Sequence, residues 1–449
     1  MEDKATTSAD AAVSPLQALL EQEAFGLGFQ SYIWGYPYVK TLLLKNEATH
    51  PESRNYAPIN QFRCYDELAK PGFHDFTPTV EALMNVGWVD VARGPIVLDV
   101  PAVDDRYWSV VANDAGGNTV SYLGTRMGSV AGRYAYTHRG WQGNLPEGVQ
   151  RINLESRFAM IMVRVLVRPS EAHDVEIAVQ QKRKFQLTSL NPGAGDSGSL
   201  GVMPPSSKPM SPVFHSLDFF SWLNASLTEG GMLPGEEAVA AQFEALGIGA
   251  GRTFFASALQ ESQRRGLLQG MQAAFKRMGL HLQTSAKRLG IWNCNYKVGL
   301  YGHDFLMRAT VALAGYGAMV PQETLYINTA IDTDSRPLDG ANRYTMCLAA
   351  GQFPPADAFW SITLYSKPDN QLVDNPIDRY SVSSETVGLR YGSDGSLTIY
   401  LQADKPQGEA AANWLPVPQG PFWLILRTYL PHAALLNGQY TPPDVVRVN

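Results

Sequence analysis

The chain has 449 residues, 45% of them hydrophobic and 17% charged. That length exceeds one ordinary core and predicts two or three domains, while the composition excludes a disordered chain and a coiled coil. A count of 36 Lys and Arg against 42 Asp and Glu leaves a net charge of −6. The balance argues against nucleic acid as a partner, because phosphate neutralisation needs a basic face.

The opening MEDKATTSADAAVSPLQ is polar and lacks an apolar leader core. Ser14 followed by Pro15 predicts a helix N-cap and first turn, and the apolar spacing of residues 16–44 predicts one or two helices behind it. From 94 to 167 the pattern changes to short runs rich in β-branched and aromatic residues, PIVLDVP, YWSVVAND, RYAYTH and FAMIMVRVLVRP, bounded by Gly, Pro or Asn. That spacing predicts an antiparallel sandwich. The longest apolar stretch, residues 158–167, is short and interrupted by Arg164, so no membrane span is expected. A soluble, cytoplasmic protein without a membrane partner is the expectation.

Residues 188–213 are rich in Gly, Ser and Pro and read as a linker. Residues 214–320 read as helical, in segments closing on Gly247 and Gly279. After 320 the strand pattern returns in YTMCLAA, AFWSITLYS, SLTIYLQA and FWLILRTYL. The order is therefore helix (1–60), sheet (61–187), linker (188–213), helix (214–320) and sheet (321–449).

Most chemical motifs fail on context. Gly193-Ala-Gly195-Asp-Ser-Gly198 matches a dinucleotide loop but sits in the Pro/Ser-rich linker, not between a strand and a helix. Asp332-Thr-Asp334 before Asp339-Gly340 lacks the glutamate of a calcium loop; a strand end leading into a turn is the favoured reading, with two carboxylates on one strand face, holding a cation or working as an acid/base pair, as the alternative. The eight histidines form no HxH or HExxH pair, so zinc has no support in the sequence, and no metal or other cofactor is expected. No GxSxG elbow is present, and Cys64, Cys294 and Cys347 form no CxxC pair. His303-Asp304 has the form of an oriented base, with a capping or core histidine as the favoured reading, and His74-Asp75 in GFHDFTP has the same two readings.

The C-terminal third interleaves Trp360, Tyr365, Asn375, Arg379, Tyr380, Asn413, Trp414 and Arg427. Aromatic faces with amide and guanidinium groups suit a sugar ring or an organic anion. The same residue types also pin sandwich corners by bonding buried backbone groups.

The stretch ETLYINTAIDTDSRPLDGANRYT, with PPADAFWSITLYS, NPIDRYSV, DGSLTIYLQ and NWLPVPQGPFWLILRTYLP, resembles the module called domain of unknown function 1214. FTPTVEALMNVGWVDVARGPIVLDVP, NDAGGNTVSYLGTR and GWQGNLPEG resemble its partner, domain of unknown function 1254. The resemblance implies a mainly β fold with helical segments: an immunoglobulin-like sandwich plus a jelly-roll sandwich, with an N-terminal helical segment and a helical insert. It carries no settled activity. Relatives have a motif of the type TPNxDTLYSSAWLDL, where this chain has Thr79 for Asn, Glu81 for Asp and Met84 for Tyr. If that loop lines a pocket, the pocket here is more apolar.

The functional expectation is an enzyme acting on a small organic molecule in a cleft between the two β domains. Glu81, Asp114 and His303 are the candidate catalytic groups, since a carboxylate seated among apolar side chains resists ionisation, as general-acid work needs. Met84, Asn113, Arg126, Trp360, Arg379, Tyr380 and Trp414 are the candidate substrate contacts. The alternative is a non-catalytic carbohydrate- or small-ligand-binding protein. Residues 214–320 fit a lid or a homodimer interface.

Overall fold

The structure, a computed structural model, describes residues 14–73, 77–191 and 211–448. The glycine motif at 193–198, most of the 188–213 linker and His74-Asp75 lie outside the described residues.

Helix α1 (Pro15–Ala48) opens the chain on a capping box: Ser14 Oγ accepts from the Gln17 amide while Gln17 Oε1 accepts from the Ser14 amide, both at 3.2 Å. It runs unbroken through Pro37, where a proline ordinarily costs ~3 kcal/mol. Nearly every residue from 31 to 43 is buried, so tertiary packing overrides that local penalty.

The first β unit uses β1 (Phe62–Tyr65), β2 (Ala82–Asp90), β3 (Ile96–Val100), β4 (Trp108–Asn113), β5 (Thr119–Gly124), β6 (Gly132–His138), β7 (Val149–Leu154), β8 (Phe158–Leu166), helix α2 (Asp174–Arg183) and β9 (Gln186–Ser189). A five-stranded sheet, β1-β2-β8-β4-β5, lies over a four-stranded sheet, β7-β6-β3-β9. Alternation along β8 sends Ala159, Ile161, Val163 and Val165 into the core between the sheets, with Leu98, Trp108 and Tyr136. Phe158, Met160, Met162, Arg164 and Leu166 therefore face the other way.

Helices α3 (Asp218–Gly230), α4 (Glu237–Ala241), α5 (Glu261–Thr284) and α6 (Phe305–Ala314) follow, interrupted by the short strands β10 (Lys287–Leu289) and β11 (Trp292–Cys294). Residues 287–294 thus depart from the helical reading of 214–320. They pair onto the second β unit, whose sheet edge supplies the hydrogen bonds that a short segment cannot supply itself. Gly247 does cap its segment, with φ 75°. Helix α5 does not stop at Gly279, as the sequence suggests, but continues to Thr284. A capping glycine takes positive φ, and Gly279 does not.

The second β unit comprises β12 (Thr324–Thr329), β13 (Arg343–Leu348), β14 (Ala356–Ser366), β15 (Ser381–Ser383), β16 (Leu397–Gln402), β17 (Trp414–Pro416), β18 (Phe422–Pro431), helix α7 (Ala433–Leu436) and β19 (Val445–Val448). A six-stranded sheet, β10-β11-β12-β18-β14-β15, packs on a four-stranded one, β17-β16-β13-β19. Their shared core takes Leu325, Ile327, Ile362, Leu364, Leu424 and Leu426. The four sheets are open, and the chain is mainly β with an N-terminal helix and a helical insert, as its residues predict. Among the described residues no helix is long and apolar enough to cross a membrane.

The outer face of the five-stranded sheet is covered twice. Trp88, Phe158 and Met160 join the core of the helical layer, built from α1, α3, α5 and α6. Tyr107, Val111 and Leu166 pack against Met319, Phe359 and Tyr429, the last two from the second β unit. Each such aromatic contributes about 1.5–3 kcal/mol when fully buried. The two β units therefore meet sheet face to sheet face.

A buried polar seam between the two β units

In β18 the inward Leu424 and Leu426 leave Ile425, Arg427 and Tyr429 on the opposite face, just as β8 leaves Arg164 and Leu166. These two faces oppose each other. One end of the seam is closed by the cluster holding Leu166 and Tyr429, with the Phe359 and Tyr429 rings stacked at 4.1 Å. The other end is closed by Ala69, Tyr365, Leu372 and Ile425, with Val80, Tyr326, Tyr380 and Trp423 packed against them.

The segment before β2 is stitched to the second β unit at three successive points. The Thr77 carbonyl accepts from Arg427 Nη2 at 2.8 Å, and the Pro78 carbonyl accepts from the Tyr365 hydroxyl at 2.7 Å. Glu81 Oε1 then accepts from Ser381 Oγ at 2.7 Å, while its Oε2 accepts from Thr79 Oγ1 at 2.8 Å. Glu81 is only 6% exposed. The loop whose residues depart from the relatives' motif is thus the loop that lines the seam.

Two guanidinium groups occupy the same region. Arg427, 3% exposed, sits between the Tyr365 ring at 5.5 Å and the Tyr326 ring at 5.9 Å, and its Nη1 donates to Thr363 Oγ1 at 3.2 Å. Arg164, 8% exposed, donates from Nη1 to the Met319 sulfur at 3.4 Å. Among the described residues neither arginine has a carboxylate within 4 Å. Glu81 acts on Arg427 at longer range, and the Tyr429 hydroxyl feels Arg427, Arg164 and Glu81 together. Burial pushes the Tyr365 hydroxyl up to about 12 and raises Tyr429 as well. By contrast Arg126 is neutralised: its Nε meets Glu323 Oε2 at 2.7 Å, and Glu323 Oε1 accepts from the Tyr107 hydroxyl at 2.7 Å.

The residues singled out from sequence divide between this seam and other places. Glu81, Met84 and Arg126 belong to it, Met84 standing opposite Arg164 in the β2–β8 ladder. Tyr380 packs at its closed end and donates to Asp378 Oδ1. Trp360 does not reach it, because β14 alternation turns its ring into the core of the second β unit. Trp414 is buried with Nε1 donating to the Gln402 carbonyl at 2.7 Å. Arg379 donates to the carbonyls of Ala412 and Trp414, so these two residues pin a corner, and burial lowers the Arg379 pKa.

Asn113 and Asp114 lie at the far end of the same sheet. Asn113 pairs across from Met160, while Ala82, next to Glu81, pairs with Leu166, a separation of roughly 20 Å along β8. There Asp114 accepts from the amides of Gly116 and Asn118 and from the Asn118 side chain, and burial pushes its carboxyl up to about 6. His303 is exposed at the start of α6, where the adjacent Asp304 is the N-cap, accepting from the Met307 amide at 3.0 Å. Asp332 likewise organises a turn, its Oδ1 accepting from the Asp334 and Arg336 amides. Among the described residues no three His, Cys, Asp or Glu side chains cluster to hold a metal.

Sequence reasoning did not reach Arg164, Tyr326, Glu323 or Tyr429 as site residues. The one available signal was Arg164 itself, a charge inside an otherwise apolar strand, which placed a cost on burial that something must offset.

Residues 59–189 match a family described as DUF1254, protein of unknown function, and residues 323–433 match DUF1214, described in the same words. No curated protein matches the chain. The VPA0106 protein from Vibrio parahaemolyticus has a similar crystal structure, with TM-score 0.70, 23% identity, and coverage of 95% of this chain and 100% of that one. An uncharacterised protein from Burkholderia cenocepacia aligns with TM-score 0.44 and 12% identity over 96% of this chain and 94% of its own. The chain belongs to the family in which a DUF1254 module is followed by a DUF1214 module.

Proposed function

We propose that the protein is an enzyme acting on a small organic molecule taken up between its two β units, with Glu81 as the acid/base group. One observation carries the reading: a buried carboxylate from the first unit is held by a hydroxyl of the second, beside two buried arginines that lack a carboxylate partner. A proton-transferring group needs a fixed position and a dry surrounding, and this arrangement provides both. Tyr365, Tyr326 and Tyr429 would pack a planar substrate, and Met84 would give it an apolar wall. Comparing the metabolites of a cell extract consumed by the wild type and by Glu81→Gln tests it. Loss of a consumed compound in the variant supports the reading; identical profiles remove Glu81 from any mechanism.

A second reading, ligand binding without catalysis, draws on the same carboxylate. Both Glu81 oxygens already accept hydroxyl hydrogens, which suits a group that shapes a site as well as one that reacts. In that case Glu81→Gln changes affinity and leaves no compound transformed by either protein.

A further inference from the structure

The charges of the seam point to the chemical class of what it binds. We infer that the site takes a monoanionic ligand, a carboxylate, whose oxygens are gripped by Arg164 from the first β unit and Arg427 from the second. This rests on the reading of the seam as a ligand site.

A buried guanidinium is normally paired, because an isolated charge in a low-dielectric interior is expensive. The other deeply buried arginines of the described chain follow that rule: Arg308 meets Glu236 at 2.6 Å, and Arg106 meets Asp174 at 2.8 Å. Arg164 and Arg427 break it together, on facing strands, each two residues along its strand from a member of the aromatic cluster that closes the seam. The hydrogen bond that Arg164 makes is to a thioether, a weak acceptor. Ser361 stands opposite Arg427 in the β14–β18 ladder, fully buried, with a hydroxyl that bonds nothing among the described residues. An orphaned hydroxyl beside a cation with spare N–H groups forms a donor set for an oxyanion. Since Arg126 and Glu323 cancel, the seam sets the single carboxylate of Glu81 against the two guanidinium groups of Arg164 and Arg427, and one positive charge is left for the ligand to neutralise. The Tyr326 and Tyr365 rings flanking Arg427 favour a carboxylate on a flat or apolar body.

The test is thermal unfolding of the full chain in sodium formate, acetate and benzoate against sodium chloride at equal ionic strength, with Arg164→Met beside the wild type. A saturable rise in Tm with at least one carboxylate is expected, with affinity weakened tenfold or more in Arg164→Met. Without carboxylate, Arg164→Met should melt at the wild-type temperature or above, since it removes an uncompensated charge and leaves an apolar stem against Met319. No saturable shift with any of the three, an equal shift in the variant, or a ligand-free variant that melts lower overturns the inference. Glu81→Gln separates this from the proposed activity. Carboxylate binding that survives while turnover is lost supports both readings. Carboxylate binding with turnover unchanged leaves the anion site standing without Glu81 chemistry. Turnover that depends on Glu81 without any carboxylate binding leaves the enzyme standing and removes the anion site.

Discussion

Ser381 donates its hydroxyl hydrogen to Glu81 Oε1 at 2.7 Å although 300 residues separate the two in sequence. The bond crosses from the edge strand of one sheet to the loop entering another, so it reports directly on the seam between the β units. Removing it in Ser381→Ala strips a charged acceptor of one partner, and a loss of about 1–2 kcal/mol in stability is expected. Urea unfolding measures this, and a double-mutant cycle with Glu81→Gln should show the two losses to be less than additive.

A deeply buried ion pair lies away from the seam, in the helical layer. Arg308 Nη1 and Nη2 meet the two Glu236 oxygens at 2.6 and 3.2 Å, and Glu236 also accepts from Trp34 Nε1 and the Tyr38 hydroxyl. Glu236→Gln leaves a buried guanidinium uncompensated and should cost about 3–5 kcal/mol. Adding Arg308→Met to that variant should recover part of the loss, read as a higher unfolding midpoint than Glu236→Gln alone. A further fall would show that Arg308 contributes mainly through packing.

Asp114 makes stability depend on pH in a direction opposite to an ordinary salt-bridged carboxylate. Burial lifts its carboxyl from the usual 3.8 to about 6, so between those values the folded protein holds a proton that the unfolded chain has released. Its contribution is present below about pH 4, declines as pH rises through 6 and is level above, a span on the order of 3 kcal/mol. Asp114→Asn should remove that decline. Unfolding midpoints of the two proteins at pH 4.5 and pH 7 give the measurement, and a difference that stays constant between the two pH values would sink the assignment.

Two glycines of α5 should respond oppositely to alanine. A Cβ at Gly270 would lie 2.3 Å from the Phe25 carbonyl oxygen and 2.8 Å from the Phe29 amide nitrogen of α1, so the helices must part. Gly270→Ala should destabilise by about 1–3 kcal/mol despite the better helix propensity. At Gly279 nothing lies within 4 Å of the added carbon, and Gly279→Ala should stabilise by about 0.5–1 kcal/mol. Thermal melts of the two variants decide it.

That pair also marks where sequence reading stops. From one chain Gly279 looks like a helix end and nothing marks Gly270 as a point of close approach, because composition carries no record of which neighbour approaches. Strands such as β8 and β18 were legible, since alternation and β-branched content are local properties. Their second faces were not. Trp360 and Trp414 had the composition of a binding surface, yet alternation and a corner buried both, while Arg164 sat in a run read only as a strand.

The amino-acid sequence by itself determined the β-rich architecture, the N-terminal helix, the helical insert and the membership in a two-module family, because periodicity, turn residues and long motifs act over short spans of chain. Only the tertiary structure decided that Glu81, Arg164 and Arg427 share one buried seam. Their proximity depends on two sheets turning their outer faces toward each other, and the cost of burying charge there is felt only once both faces have come together.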